Sequence, residues 1–365
     1  LLLFGIGLKL RLRTLARREV WAGASMHLAA TTAVIGVLFL GLGALGLPLA
    51  DGLTPARAAL IGFAFSFSST VFAVKALEER NETASLPGRI AIGILIVQDL
   101  FAVVFLTVSV DDLPSWWAIP VLAGLVVLRP VLGWILDRVG HGELLVLFGF
   151  AVAVGVGLGA FDQVGLKADL GALLAGVSLA GHRRAGELAD RLLGYKDLLL
   201  IGFFLSIGLG GAPEPGTVAV AAVVVVVLPL KASGFFLMLA GFRLRTRTAW
   251  HTSVTLANFS EFGLIVTAVG VDQGLLDQQW ASAVAVAVAL SFALAAPLST
   301  ARYVLYRRWS EALGRLERHP TVPDDRIIEP TDARILVFGM GRVGAGAYDE
   351  LVALMGEQHD GIDLK

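Results

Sequence analysis

Eleven apolar stretches run through the chain, most of them close to the roughly 20 residues that carry a helix across a bilayer. Of the 365 residues, 56% are hydrophobic and 16% are charged, whereas a soluble domain carries about 25% charged residues. The sequence therefore predicts an all-α polytopic membrane protein. We expect spans at 1–8, 21–47, 54–74, 90–110, 115–136, 144–161, 166–181, 198–211, 217–241, 249–271 and 279–304.

The first of these stretches is partial, because the chain lacks an initiator Met and opens on LLLFGIGL in the middle of an apolar run. We therefore expect further spans to precede it in the intact protein.

Basic residues are concentrated in every second link between these spans. Twenty lie in alternate links and in the segment after the last span, against only Arg57 and Lys167 in the opposite links. Because basic residues favour the cytoplasmic side, this set predicts the cytoplasmic links and a cytoplasmic C-terminus. The set comprises Lys9, Arg11, Arg13, Arg17, Arg18, Lys75, Arg80, Arg89, Arg129, Arg138, Arg183, Arg184, Arg191, Lys196, Arg243, Arg245, Arg247, Arg302, Arg307 and Arg308.

Two ionisable residues, Asp99 and Lys231, lie alone within otherwise apolar spans. A charge at the centre of a spanning helix costs about 2.5–3.5 kcal/mol, so such residues usually face a partner or a water-filled path. An acid and a base in this setting suggest a proton or cation pathway. The alternative is a structural buried ion pair.

Two spans contain polar interruptions. The third contains FAFSFSSTVFAV, with Ser69 and Thr70, and the tenth contains LANFSEFGLIV, with Ser260 and Glu261. As the third and tenth spans, they cross the membrane in opposite directions. Paired interrupted segments in inverted repeats indicate a transporter site near the midplane. The alternative is that the Ser and Thr hydroxyls simply bond back to their own helices.

These residues carry a resemblance to a known family. SFSSTVFAVKALEERN at 66–81 and GRIAIGILIVQDLFAV at 88–103 resemble the unwound segment and the Gln-Asp helix of Kef-type potassium:proton antiporters. Residues 165–181, the span around Lys231 and FSEFGLIV at 259–266 are similar too. The resemblance covers most of residues 1–305 as an antiporter domain. It implies an inverted-repeat fold with two crossing discontinuous helices, thirteen spans in the intact protein, and a core domain beside a dimerisation domain.

The resemblance also implies roles for particular residues. Asp99 matches the ion-binding carboxylate, and Gln98 takes the place of a second Asp found in electrogenic sodium:proton relatives. Lys231 matches a lysine that can pair with the carboxylate, directly or through one water. The crossing segments supply Ser69 and Thr70, and Ser260 and Glu261, and the transported K⁺ or Na⁺ would bind at Asp99 and Thr70.

Competition for one carboxylate explains how such a site could work. Burial disfavours the charged form of Asp99 while a nearby ammonium favours it, so that a proton and a dehydrated cation could alternate. One carboxylate favours one-for-one, electroneutral exchange, which a change in the protonation of Lys231 would alter.

The C-terminal part changes character. Residues 306–332 are charged and contain three prolines, which predicts an amphipathic segment followed by a linker. Residues 333–365 resemble the start of an RCK/KTN nucleotide-binding domain, a truncated Rossmann-like α/β piece. Here a strand at 334–338 precedes a G-x-G-x-x-G sequence that opens a helix.

A nucleotide, AMP or NAD(H), would bind this motif through Gly339, Gly341, Gly344 and Arg342. Glycines at this spacing permit a tight turn and a close approach of pyrophosphate to the helix N-terminus. The alternative is a glycine-rich turn without a ligand. One departure from the family concerns regulation: residues 186–197 carry Arg191 where glutathione-gated members carry an acid, which speaks against glutathione as the small-molecule regulator.

Three functions remain open from the sequence. The first is a potassium:proton antiporter, homodimeric in a bacterial-type inner membrane and regulated by its cytosolic nucleotide domain. The second is a sodium:proton antiporter of the same fold. The third is a potassium channel, although the chain has no TVGYG-like filter. Neither an enzyme nor a nucleic-acid partner is expected.

Overall fold

A computed structural model describes residues 2–9, 17–109, 118–161, 168–192, 195, 205, 214–319, 321–326, 335, 337 and 341–355. The described residues divide into two units, Leu1–Arg318 and His319–Lys365.

Regular structure in the first unit is helical throughout the described residues. Residues 185–192 are also helical, and a short 3-10 turn covers Pro48–Ala50. The helices are α1 Leu2–Lys9, α2 Arg18–Ala44, α3 Pro55–Ser66, α4 Thr70–Glu78, α5 Leu86–Val108, α6 Ala118–Arg138, α7 Glu143–Ala151 with a π-helical continuation Val152–Ala160, α8 Ala168–Leu179, α9 Pro215–Gly241, α10 Thr246–Thr255, α11 Glu261–Asp272 and α12 Gln278–Gly314.

Five of these helical segments are long and apolar enough to cross a membrane: Arg18–Ala44, Pro55–Glu78, Leu86–Leu106, Pro215–Gly241 and Gln278–Gly314. Every expected span within the described residues corresponds to a helix or to an interrupted pair of helices. The expected span at 198–211 lies almost wholly outside the described residues. The prediction of an all-helical, multi-pass membrane architecture is thus confirmed for the part of the chain described.

Local sequence explains where the helices begin. The hydroxyl of Thr54 accepts a hydrogen bond from the amide of Arg57, and Ser85 accepts one from Gly88, so each satisfies an amide that the first turn leaves free. Pro55 and Pro87 occupy the first turns, where the missing N–H costs nothing.

The buried apolar side chains form separate clusters. One joins α1, α6, α7 and α8 around Phe4, Leu136 and Phe161. Another joins α2, α3, α9, α11 and α12 around Phe39, Phe65 and Trp280. Each interrupted pair contributes one helix to the second cluster, α3 and α11, so this cluster packs beside the interruptions.

In one respect the last helix differs from expectation. We expected the last span to end at 304, with a separate amphipathic segment from 306, but α12 continues without a break to Gly314. Arg302, which we counted among the basic residues of the cytoplasmic tail, is fully buried on this helix.

The second unit is described only in part. It contains a 3-10 turn at Pro323–Asp325 and a helix, α13, at Arg342–Met355. This helix begins directly after Gly341, as predicted for the glycine motif. Gly339 and all but two residues of the expected strand at 334–338 lie outside the described residues.

Candidate functional site

The first interruption separates α3 from α4. Phe67 has an extended backbone, with φ −71° and ψ 146°, which ends α3. Ser69 then begins α4, and its hydroxyl accepts a hydrogen bond from the amide of Phe72. Residues 67–69 thus form a buried, extended link between the two half-helices, and their backbone groups need hydrogen-bond partners outside the helices.

The second interruption separates α10 from α11. The helix ends at Thr255, whose carbonyl accepts a hydrogen bond from the side-chain amide of Asn258 at 3.0 Å. Ser260 begins α11, and its hydroxyl accepts a hydrogen bond from the amide of Phe262. A serine therefore starts the second half of each broken helix.

The two interruptions contact each other directly, and we call residues 67–69 and 256–260 together the crossing. The amide of Ser69 donates to Oδ1 of Asn258 at 2.6 Å. The hydroxyl of Ser68 donates to the carbonyl of Leu256 at 2.9 Å. Each broken helix therefore satisfies backbone groups that the other leaves exposed, as buried polar groups require.

Lys231 of α9 reaches the crossing from one side. Its ammonium donates to the carbonyl oxygens of Phe67 at 2.6 Å and Asn258 at 2.8 Å, with a longer contact to Phe65 at 3.4 Å. These carbonyls lie at or just beyond the C-terminal ends of α3 and α10. A cation is favoured there because the helix dipole places negative charge at that end.

This arrangement differs from a direct ion pair between Lys231 and Asp99, which is one of the two geometries that we expected; a link through one water stays a prediction. The hydrogen bonds of Lys231 in the described residues go to main-chain carbonyls and not to the Asp99 carboxylate. The physical reason is that the unwound segments present several carbonyl oxygens, which together can hold one ammonium.

Gln98 and Asp99 of α5 approach the crossing separately from Lys231. Oε1 of Gln98 accepts from the amide of Ser68 at 3.0 Å, and its Nε2 donates to the carbonyl of Ser66 at 3.4 Å. An ionised aspartate in this place could not donate the second bond. The next residue, Asp99, accepts a hydrogen bond at Oδ2 from the hydroxyl of Thr70 at 3.0 Å.

Acidic groups lie at the N-terminal ends of the half-helices α4 and α11. Asp99 contacts Thr70, the first residue of α4. Glu261, the first residue of α11, accepts a hydrogen bond at Oε2 from the hydroxyl of Ser69 at 3.1 Å, and the hydroxyl of Ser260 lies 3.4 Å away. Helix N-termini carry partial positive charge and favour anions. The crossing therefore places acids at two helix N-termini and a base at two C-termini.

The ionisable groups around the crossing are almost completely buried. Asp99 is 1% exposed, Lys231 3% and Glu261 4%. An ionised carboxylate in such a place needs donors or a cation nearby. Chemically, the arrangement offers carboxylate, hydroxyl and carbonyl oxygens, which suit a hard alkali cation.

His27 stabilises the helix that carries Lys231. Its Nε2 lies 3.1 Å from the carbonyl oxygen of Lys231, and its ring stacks on Phe235 with centroids 3.3 Å apart. This histidine therefore packs in the interior and joins α2 to α9.

Sequence reasoning missed a network around the buried Arg302, at the end of the molecule predicted to face the cytoplasm. The guanidinium of Arg302 pairs with Glu82 and donates to Oγ1 of Thr255 at 3.0 Å. The hydroxyl of Tyr303 donates to Oε1 of Glu82 at 2.5 Å. Because Thr255 ends α10, this network connects α12 and the turn after α4 to the edge of the crossing.

The structure brings together all seven of the predicted ion-site residues: Ser69, Thr70, Gln98, Asp99, Lys231, Ser260 and Glu261. Ser69, Ser260, Glu261 and Lys231 are linked by hydrogen bonds through Ser69 and Asn258, Gln98 bonds to the backbone of Ser66 and Ser68, and Asp99 bonds to Thr70 beside the crossing. Of the predicted nucleotide residues, Gly341, Arg342 and Gly344 lie at the start of α13, and Gly339 is outside the described residues.

Comparison with known proteins matches the residues that were expected to form the antiporter domain. A family model described as "Sodium/hydrogen exchanger, transmembrane" matches residues 1–305. The chain is 28% identical to the glutathione-regulated potassium-efflux system protein KefC of Enterobacter sp. (strain 638), over 94% of this chain and 56% of the relative. It is 31% identical to YbaL of Escherichia coli (strain K12), over 97% of this chain and 67% of the relative. The chain thus spans little more than half the length of the KefC relatives that it matches.

Proposed function

Because the chain belongs to the sodium/hydrogen exchanger family, as a relative of the Kef-type cation:proton antiporters, we propose that it exchanges a monovalent cation for a proton by alternating access. The observation that carries the proposal is the meeting of two interrupted helices around a buried carboxylate. This arrangement lets a dehydrated ion find oxygen ligands inside the membrane. An inverted repeat relating the two halves is part of the same proposal.

Asp99 is the residue that we propose binds the cation and the proton in turn. Its carboxylate is buried and contacts Thr70 at the N-terminal end of α4. A cation bound there would take the carboxylate and hydroxyl oxygens as ligands. A proton would neutralise the same carboxylate, so the two would exclude each other. No enzymatic chemistry is proposed.

Lys231 is proposed to act as a fixed charge. Its ammonium already has carbonyl acceptors in both unwound segments. In this proposal those contacts stabilise the ammonium without a direct bond to Asp99. With one carboxylate titrating and the ammonium constant, exchange would be one-for-one and electroneutral.

Potassium is the proposed cation, because the KefC relatives are named for potassium efflux. The family description names sodium instead, so sodium is the alternative that the test must separate. We also propose regulation by a nucleotide at the glycine motif before α13, assembly as a homodimer, and an inner-membrane location with the C-terminus in the cytoplasm.

The experiment is transport by the intact protein in proteoliposomes that contain a pH-sensitive dye. A gradient of potassium should drive proton movement faster than an equal gradient of sodium. Asp99→Asn should insert normally but lose the exchange. Asp51→Asn, which changes an exposed acid in the turn after α2, should exchange like the wild type and serves as the matched control.

Each alternative gives a different result. Faster exchange with sodium would favour the sodium:proton antiporter. Cation flux without coupled proton movement would favour a channel. Exchange at the wild-type rate by Asp99→Asn would reject the role of this carboxylate.

A further inference from the structure

The ammonium of Lys231 is surrounded by backbone oxygen atoms of the crossing and its flanking residues. Its Nζ lies 2.6 Å from the carbonyl oxygen of Phe67, 2.8 Å from that of Asn258 and 3.4 Å from that of Phe65. The ring of Phe259 also lies near, with its centroid 4.9 Å from Nζ. We call the three carbonyls and this ring the carbonyl cluster. Each member is a neutral group that stabilises a positive charge.

The carbonyl cluster is held in place by hydrogen bonds that do not involve Lys231. Gln98 of α5 bonds to the backbone of the residues on either side of Phe67. Ser291 of α12 accepts a hydrogen bond at its hydroxyl from the amide of Phe259 at 3.0 Å. Since side chains from other helices fix both unwound segments, we expect the carbonyls to keep their positions when the lysine is replaced.

The chemistry of the carbonyl cluster suits an alkali cation as well as an ammonium. An ammonium group and a potassium ion carry the same charge and are similar in size, and lysine presents that charge as a compact point. Backbone carbonyls are also the groups with which proteins replace the hydration shell of potassium. The carbonyls lie at or just beyond the C-terminal ends of two half-helices, where the helix dipole favours any cation.

We propose that the carbonyl cluster is a second monovalent-cation site, which Lys231 fills with its own ammonium. The wild type then binds one alkali cation, at Asp99, instead of two. This inference rests on the proposed function for the ion at Asp99, but the carbonyl cluster does not include that carboxylate. Because the ammonium is tethered to α9, it stays when the transported ion leaves. Replacing Lys231 by an uncharged side chain should open the site to a dehydrated, potassium-sized cation from solution.

The test counts the rubidium ions that the intact protein binds in detergent, with radioactive rubidium as the probe for potassium. It is made in the Asp99→Asn background, which removes the carboxylate of the proposed transport site. Asp99→Asn alone should bind no rubidium. Asp99→Asn combined with Lys231→Met should bind one ion per chain, which potassium chloride displaces and choline chloride does not.

Two matched controls use the same Asp99→Asn background. Lys231→Arg keeps a tethered positive charge at the carbonyl cluster and should therefore bind no rubidium. Lys75→Met removes an exposed lysine from α4 and should also bind none. The two controls separate the opening of the carbonyl cluster from a change in side chain and from a general loss of positive charge.

Thermal unfolding gives a second measurement, which a weakly stable variant also permits. Asp99→Asn combined with Lys231→Met should melt at a higher temperature in potassium chloride than in choline chloride of the same ionic strength. The difference should grow with the logarithm of the potassium concentration, because the ion binds the folded state. Asp99→Asn with Lys231 intact should melt at the same temperature in both salts.

Three results would overturn the proposal. They are equal rubidium binding by Asp99→Asn with and without Lys231→Met, equal binding by the Lys231→Met and Lys231→Arg variants, and equal melting of the Lys231→Met variant in the two salts. Rubidium binding by Asp99→Asn alone would count against the role of Asp99 instead. The carbonyl cluster would then be tested by the further ion that Lys231→Met adds.

Discussion

The amide of Ser69 donates a hydrogen bond of 2.6 Å to Oδ1 of Asn258, although the two residues are 189 positions apart in the chain. The side-chain amide of the same asparagine donates to the carbonyl of Thr255, the last residue of α10. Its main-chain carbonyl accepts a hydrogen bond from Lys231. One side chain therefore fixes where the two broken helices meet.

Replacing this asparagine should loosen the crossing. Asn258→Ala leaves the buried amide of Ser69 without an acceptor, which costs about 1–3 kcal/mol. We expect a lower melting temperature of the purified protein than for Gln278→Ala, which shortens an exposed amide on α12. Equal melting temperatures for the two variants would mean that the Asn258 bond contributes nothing to stability.

Lys231 should matter for folding more than for the pH dependence of transport. Lys231→Met removes the donor shared by Phe67 and Asn258, with an expected loss on the order of 3 kcal/mol. Lys231→Arg keeps the charge and should recover part of that loss. Thermal unfolding of both variants gives the comparison, and transport rates across pH give the second readout. A shifted transport optimum in Lys231→Arg would argue for a direct link to Asp99.

Gly263 lies where α11 passes close to α3. A Cβ atom at this position would come 2.5 Å from the carbonyl oxygen of Ala64, so one of the helices would have to move. We expect Gly263→Ala to destabilise the protein by about 1–3 kcal/mol, as overpacking does. Gly241→Ala is the control, since a Cβ there meets nothing within 4 Å. Chemical unfolding monitored by tryptophan fluorescence would reveal the difference, and unchanged stability of Gly263→Ala would disprove it.

Glu82 should be needed mainly to neutralise Arg302. Glu82→Gln leaves a fully buried guanidinium without its counter-charge, which costs about 3–5 kcal/mol. The double variant Glu82→Gln, Arg302→Met should regain much of that stability, because no unpaired charge remains. Glu79→Gln, in the same turn but exposed, should be neutral. A double-mutant cycle on unfolding free energies checks the coupling, and additive losses would count against it.

The sequence predicted the broken helices well, because their interruptions depend on local residues. Ser69 and Ser260 are good N-cap residues, and each follows a polar run inside an apolar span. An N-cap residue and a polar run can each be recognised from a few neighbouring residues of the sequence. The set of residues around the crossing could be predicted too, since each is polar within a stretch that should be apolar.

The partners of the charged residues could not be predicted in the same way. Lys231 was expected to pair with Asp99 because both are ionisable, but the sequence does not show which backbone carbonyls an unwound helix exposes. Arg302 was counted only among the basic residues that predict the cytoplasmic side, and its acid, Glu82, is 220 residues away. Contacts of such separation depend on the packing of whole helices.

The length of α12 has a mechanical consequence. At 37 residues it measures about 55 Å, well beyond the apolar thickness of a bilayer. Its C-terminal half is hydrogen-bonded to three residues of α10. Arg302 donates to Thr255, and the carbonyl of Arg302 accepts from the indole of Trp250. Glu317, just past the end of α12, accepts from the amide and the hydroxyl of Thr246. We therefore expect α10 and α12 to move as one body, so that a displacement of the C-terminal end of α12 would be transmitted to the crossing.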